Sequence, residues 1–450
     1  MIDIAQKILA FVVTLGLLIT FHELGHYVVA RLAGVKVLRF SIGFGRVIWS
    51  RQLGSDGTEW AISAVPLGGY VKMADEREGP VPAADLPRAF NRQNVWKRSA
   101  IVAAGPLANL LLAVLLLSGT YLAGVTGQRA ILADPPAGSP AAEAGLASGD
   151  VVTAVDGDAV RSWQDLRWRL LRATGAERVT LTLNQPNGAS STRVLPLGSL
   201  TSADWEGNYL GVLGLKIDLG APLVRDVLPG KPAETAGLRG GDAVLAINGK
   251  PTRSPSDVAA ITNAHPGEVL RFTIRRDGKE LETELTPEAS EQGGRTIGLA
   301  GMRLSIDPDT LQALSVTVRY GPIGSLIQGA RKTWELSVFT VKMLGRIITG
   351  DASLKNISGP LTMADYAGQS AQAGVLTFIG YLALISISLG VLNLLPVPLL
   401  DGGHLLYYLV EIFKGSPVSD RVLEVGQRIG MAVLALLMAL ALFNDLSRLL

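Results

Sequence analysis

Apolar residues crowd into four runs near the two ends of the chain, roughly 8–30, 101–125, 376–395 and 429–446, with a long stretch of mixed polarity between the second and third. About 20 mostly apolar residues cross a bilayer's hydrocarbon core, so each run predicts a membrane-spanning helix. The first three carry polar interruptions; the fourth is the cleanest. A cleavable leader is the rival reading of the first run, because Lys7 precedes it and Val28-Val29-Ala30 ends it. His22, Glu23 and His26 inside the run, and Asp3 before it, do not suit a leader. A span is the expectation.

Basic residues orient the spans, because Lys and Arg concentrate in cytoplasmic loops. Residues 31–98 hold eleven of them, whereas only Lys7 precedes the first span. The last loop carries Lys414, Arg421 and Arg428. Both termini and the long middle are therefore expected outside the cytoplasm.

The middle repeats itself. Residues 138–157 read GSPAAEAGLASGDVVTAVDG and residues 230–249 read GKPAETAGLRGGDAVLAING, aligning without a gap at an offset of 92. Each copy continues with a helical stretch (163–174; 254–264) and then an alternating strand (179–183; 270–275). Repetition at a domain-sized period means two copies of one module. The shared string resembles PDZ domains of the bacterial type, whose peptides add as a strand at a sheet edge. That resemblance marks Leu210 and Gly211, and Ile297 and Gly298, as ligand loops. Two modules serving as spacers or steric gates are an equal alternative. Beyond them, residues 325–349 place Arg331, Glu335, Lys342 and Arg346 near one helical face, a pattern that suits a helix lying on the membrane surface.

Composition narrows the chemistry. The chain is 48% hydrophobic and 18% charged, with a net charge of +2 and no basic stripe, which gives no case for nucleic acid. Cysteine is absent, so a metal would need His, Asp or Glu. Within the first run, His22-Glu23-Leu24-Gly25-His26 is an HExxH motif. Residues four apart on a helix project the same way, two neutral imidazoles suit zinc, and the adjacent Glu can serve as general base on a water beside the metal. A charged residue at a span's centre costs roughly 2.5–3.5 kcal/mol. Structural zinc binding, at about 10–16 kcal/mol, is large enough to offset that.

A catalytic zinc usually takes three protein ligands. The four histidines are His22, His26, His265 and His404, and His265, in Ala264-His265-Pro266, reads as a solvated loop residue. The third run ends in Asn393-Leu-Leu-Pro-Val-Pro-Leu-Leu-Asp401-Gly-Gly-His404. Its prolines and glycines predict a helix break inside the membrane, tolerated where backbone is buried in protein or lines water. Asp401 and His404 both qualify as the third ligand on these grounds.

HExxH in a first span with NxxPxPxxDG in a later one resembles the site-2 protease family of intramembrane metalloproteases, and the likeness covers essentially the whole chain. It implies one zinc ion per chain on His22, His26 and Asp401, with Glu23 as the catalytic acid and base and His404 structural. It implies a substrate or oxyanion contact at Asn393 and a membrane-associated β-loop near the substrate around Gly43-Phe44-Gly45. Ala104-Gly-Pro-Leu-Ala-Asn109 resembles the family's GPxxN motif, which suggests that Asn109 packs beside the metal; an asparagine that merely packs helices fits as well. The alternating residues of 38–45, 47–49 and 59–65, around the Gly54–Gly57 turn, read as hairpins.

The architecture implied is a multi-domain membrane protein: a four-span helical core, two mainly-β PDZ domains and a membrane-associated hairpin. Its blocks are 1–125, 126–216, 217–308, a connector at 309–375, and 376–450. The implied activity is cleavage within the membrane segment of a single-span protein already trimmed outside, of the anti-sigma-factor type, with leftover signal peptides as a second class. The implied setting is a bacterial inner membrane, with both termini and the PDZ pair periplasmic and the zinc toward the cytoplasm. A membrane-anchored PDZ adaptor with a dead site is a rival that the intact Glu23 disfavours. A metal transporter would call for inverted repeats of spans, which are lacking. A serine protease finds no histidine in a triad context.

Overall fold

The structure, a computed structural model, describes residues 4–54, 56–201, 204–205, 208–292, 295–354 and 358–449. Ser55 of the expected Gly54–Gly57 turn lies outside them. The chain forms two units, Met1–Val125 with Arg319–Leu450, and Thr126–Val318.

In the first unit, four helices are long and apolar enough to cross a membrane: Ile4–Leu32, Val95–Ala123, Val375–Asn393 and Arg421–Ser447. The second begins at Asn94, whose side chain caps the Lys97 N–H, and ends at Gly124. The fourth starts well before the apolar run, because Arg421, Glu424 and Arg428 lower hydropathy without breaking the helix, and Arg428 pairs with Glu424 at 2.6 Å one turn away. The third stops at Asn393 as the prolines predict, and a new helix, Asp401–Lys414, starts at the expected ligand.

Small residues let the spans approach closely, as is usual in lipid. Ala113 packs with Ala383, Ile387 and Val391 between the second and third spans, and Ser386 Oγ donates to the Asn109 carbonyl at 2.7 Å. The amphipathic segment forms the helix Pro322–Thr349. It lies along the second span, with Leu336 in the Ala113 cluster and Gly329 pressed against Val114 and Ser118. The expected surface helix is thus packed on a span, while Ile323, Ile327 and Trp334 stay exposed on it. A further helix, Pro360–Gln372, has its N-terminus held by Asp445 of the last span, whose carboxylate accepts from the N–H groups of Gly359, Leu361 and Thr362 at 2.9–3.2 Å. Capping from a distant helix satisfies orphan donors as a local cap would.

Between the first two spans lie two long antiparallel strands, β1 (Val37–Leu53) and β2 (Thr58–Met73). Phe40 faces both Trp60 and Val71, while Arg51 faces Trp60. Each strand therefore folds back on itself. The segment 37–42 is sandwiched between 58–62 and 69–73, which leaves 69–73 along an edge. Separate short hairpins were expected; bulges at Phe44 and Val47 make one curled ribbon instead.

The second unit contains two modules. In the first, the strands run Asp158–Ala159, Val151–Val155, Arg178–Asn184, Ser190–Pro196 across the sheet. In the second, they run Lys279–Leu285, Leu270–Arg276, Ala243–Ile247, Leu223–Val227, Met302–Ser305, with Lys250–Pro251 beside Ala243–Ile247. Helices Trp163–Arg172 and Pro255–Ala264 match the two helical stretches. The repeat extends to backbone detail. Asp156 and Asn248 both have a φ of 49°, each followed by a positive-φ glycine, as a type I′ turn requires. Asp156 Oδ1 accepts from the Thr180 N–H at 2.7 Å and Asn248 Oδ1 from the Arg271 N–H at 2.8 Å, so the turn is pinned alike in both copies. The expected ligand loops are not loops. Leu210 and Gly211 lie in the helix Tyr209–Leu213, capped by Asn208, and Ile297 and Gly298 lie in the strand Arg295–Leu299, paired with Glu288–Gln292. An Asn cap preceding apolar residues favours a helical turn in one copy, and the alternating partner strand captures the other.

Candidate metal centre

His22 and His26 sit one turn apart on the first span, their rings edge to face with centroids 4.8 Å apart. The break after Asn393 returns the chain toward them. Leu399 adopts a φ of 80°, unusual for a branched side chain, two residues before Asp401. Asp401 then opens a new helix, where unpaired N–H groups favour a carboxylate. His22 Nε2 lies 3.1 Å and His26 Nε2 3.6 Å from Asp401 Oδ2, and the two nitrogens are 3.2 Å apart. These three residues form the one group of metal-type ligands among the described residues. His404 is not in it, which resolves the choice left open by ligand chemistry.

The donor set fits zinc. Metal–ligand distances of about 2.0–2.2 Å in a tetrahedron put ligand atoms about 3.3–3.6 Å apart, close to the observed triangle. Asp401 Oδ2 is buried against the two imidazole nitrogens, as suits an oxygen meant for a shared cation. His26 Nδ1 lies 2.8 Å from the Ile101 carbonyl. A carbonyl only accepts, so this nitrogen carries the proton and Nε2 keeps its lone pair for the metal. Asn109 of the second span lies beside the other ring, Nδ2 to His22 Nδ1 at 3.4 Å.

The second span meets this site through Gly105, where a Cβ would strike the imidazole nitrogens of both histidines. Glu23 faces a cavity of 670 Å³ that it shares with His26, Asp401, Val71, Arg98 and Tyr408. The edge segment of β2 closes over it, with Gly69 placed so that a Cβ would lie 3.3 Å from Glu23 Cγ and 2.8 Å from the Ser41 carbonyl. At the cavity's other wall, Arg98 pairs with Glu411 at 2.5 Å and stands over the Tyr408 ring.

The sequence-predicted residues therefore divide. His22, Glu23, His26, Asp401 and Asn109 come together. Gly43, Phe44 and Gly45 shape the ribbon's fold-back, Gly43 and Gly45 with φ near 87° and Phe44 stacked on Tyr70, but the part of the ribbon at Glu23 is Gly69 to Met73. Asn393 ends the third-span helix, outside the cavity lining. Gly69 and Gly105 were not singled out as site residues. The Gly68-Gly69 pair within an alternating strand was the available signal.

A model described as peptidase family M50 matches residues 10–437. The chain is 41% identical over 456 residues to the regulator of sigma-E protease RseP of Escherichia coli strain K12, covering 100% of both. It is 42% identical over 450 residues to a Neisseria meningitidis protein provisionally named a zinc metalloprotease, covering 99% of this chain and 100% of that one. A solved PDZ domain of an SdrC-like protein from Listeria monocytogenes, 21% identical, aligns with 20% of this chain and 92% of its own at a TM-score of 0.18, too slight a likeness to bear on the fold. With a metal-type triad built from the two motifs and a family match that spans both, the chain belongs to peptidase family M50, the site-2 proteases, and is a membrane-embedded zinc metalloprotease.

Proposed function

We propose that this protein hydrolyses a peptide bond within the membrane segment of a single-span protein, after that protein has been shortened on its outer side. The observation that carries the reading is the meeting of His22, His26 and Asp401 through one ligand-type atom each, beside Glu23 and a cavity. One zinc ion on these three residues would supply Lewis acidity toward the scissile carbonyl. Glu23 takes a proton from the attacking water and returns it to the leaving amine. A membrane helix shields its own peptide bonds, so the substrate must unwind. The edge segment 69–73 next to Glu23 offers unwound backbone new partners by strand addition. Gly43, Phe44 and Gly45 set the ribbon's curvature for this role, and Asn393 contacts substrate or the developing oxyanion.

The two repeated modules are read as PDZ-type domains outside the cytoplasm, with both termini on that side and the zinc toward the cytoplasm. They exclude intact substrates by size or read a newly exposed end. The Escherichia coli relative is named regulator of sigma-E protease RseP, and that name supports an anti-sigma factor as substrate class. The test uses purified wild type and Glu23→Gln on a tagged single-span substrate with and without its outer domain. Cleavage of the shortened form alone, by wild type alone, is the expected result. Equal cleavage by Glu23→Gln would sink the catalytic assignment, and equal cleavage of the intact form would sink the gating.

A further inference from the structure

We propose that Asn109 is a positioning residue for His22: its side-chain oxygen accepts the His22 Nδ1 proton and so keeps Nε2 unprotonated for the zinc ion. The inference rests on the metal-centre reading above. A histidine that ligates through Nε2 carries its proton on Nδ1, and that N–H needs an acceptor. His26 has the Ile101 carbonyl. At His22 Nδ1 the neighbour is Asn109 at 3.4 Å.

Asn109 is only 1% exposed, and its Oδ1 is buried without a partner. With Nδ2 toward the ring, the amide donates to Nδ1 and puts the ring proton on Nε2, the atom facing Asp401 Oδ2 and His26 Nε2. A half-turn of the amide exchanges its nitrogen for its oxygen. The proton then belongs on Nδ1, and the Nε2 lone pair points at the other two ligands. The contact from Ser386 is to the Asn109 backbone carbonyl and leaves the side-chain oxygen unengaged. Asn109 also follows Gly105 by one turn, so it lies on the face of the second span that meets the histidines.

Zinc affinity of the full-length protein in detergent, measured by chelator competition, tests this with Asn109→Leu and Asn109→Asp. Asparagine and aspartate both offer an acceptor; leucine does not. Losing such a partner typically weakens metal binding about 10–100-fold, so Asn109→Leu should fall by that factor and Asn109→Asp should stay at wild-type strength. Asn109→Ala replaces the leucine variant if that one fails to fold. Wild-type affinity in Asn109→Leu overturns the proposal, as does an Asn109→Asp as weak as Asn109→Leu. A wild-type chain that binds no zinc overturns the metal reading itself, and this proposal with it.

Discussion

Gly105 lies so close to His26 that one added methyl group would overlap the imidazole nitrogen. The second span is thereby shaped around the ligands of the first. In an exposed helix, Gly→Ala stabilises by about 1 kcal/mol; here it should do the opposite to function. Gly105→Ala is expected to keep its helix content by circular dichroism while losing most bound zinc and most proteolysis. Retained zinc at wild-type stoichiometry would contradict the observed packing.

Glu23 is assigned the proton transfers and no metal ligation. Glu23→Gln should therefore lower turnover by about 10²–10⁴-fold with zinc content unchanged by elemental analysis. Asp401→Asn should instead reduce both together, because it weakens a ligand. A Glu23→Gln protein that loses its zinc would move Glu23 into the ligand set.

Gly69 sets how near the edge of β2 comes to Glu23. Gly69→Val would press on the Ser41 carbonyl and Glu23 Cγ and push the edge segment away. The expected outcome is a fall in turnover of a helical membrane substrate with zinc binding intact. A short, already extended peptide should be cleaved nearly as well as by wild type, since it needs less help to unwind.

Arg98 and Glu411 tie the start of the second span to the helix that begins at Asp401, with side chains only 10% and 15% exposed. Removing one member of such a buried pair leaves a stranded charge and costs about 3–5 kcal/mol, whereas replacing both with apolar residues is often neutral. Arg98→Met should lower the thermal midpoint in detergent markedly. Arg98→Met with Glu411→Met should recover most of the loss.

In the second module, burial alone would raise the Asp242 carboxyl, but the Arg276 guanidinium, 2.7 Å from each oxygen, and the Arg239 N–H hold it below its ordinary value. At acidic pH the unfolded chain then binds more protons than the folded one. The stabilisation from this pair is complete above the unfolded value of about 3.9 and is lost as pH falls through the lower, folded value. Hydrogen exchange of Ala243–Ile247 against pH should show protection dropping on that acid side. Arg276→Gln should shrink the drop, and an unchanged profile would remove Asp242 from the account.

Much of this protein was legible because its strongest signals are local. HExxH acts within one helical turn, so the histidine pair and Glu23 followed from spacing. The spans followed from hydropathy and the two modules from a 92-residue repeat that reappears in matched turn angles at Asp156 and Asn248. Tertiary structure decided what depends on chain segments meeting. Ligand chemistry left Asp401 and His404 both open and the family likeness favoured Asp401; the fold-back at Leu399 is what brings Asp401 to the imidazoles. Gly69, Gly105 and Asn109 matter through what they touch across helices and strands, which no periodicity encodes. The helix Pro322–Thr349 reads as a surface helix from its charged face alone, because only its neighbours reveal that small residues such as Gly329 press it onto a span.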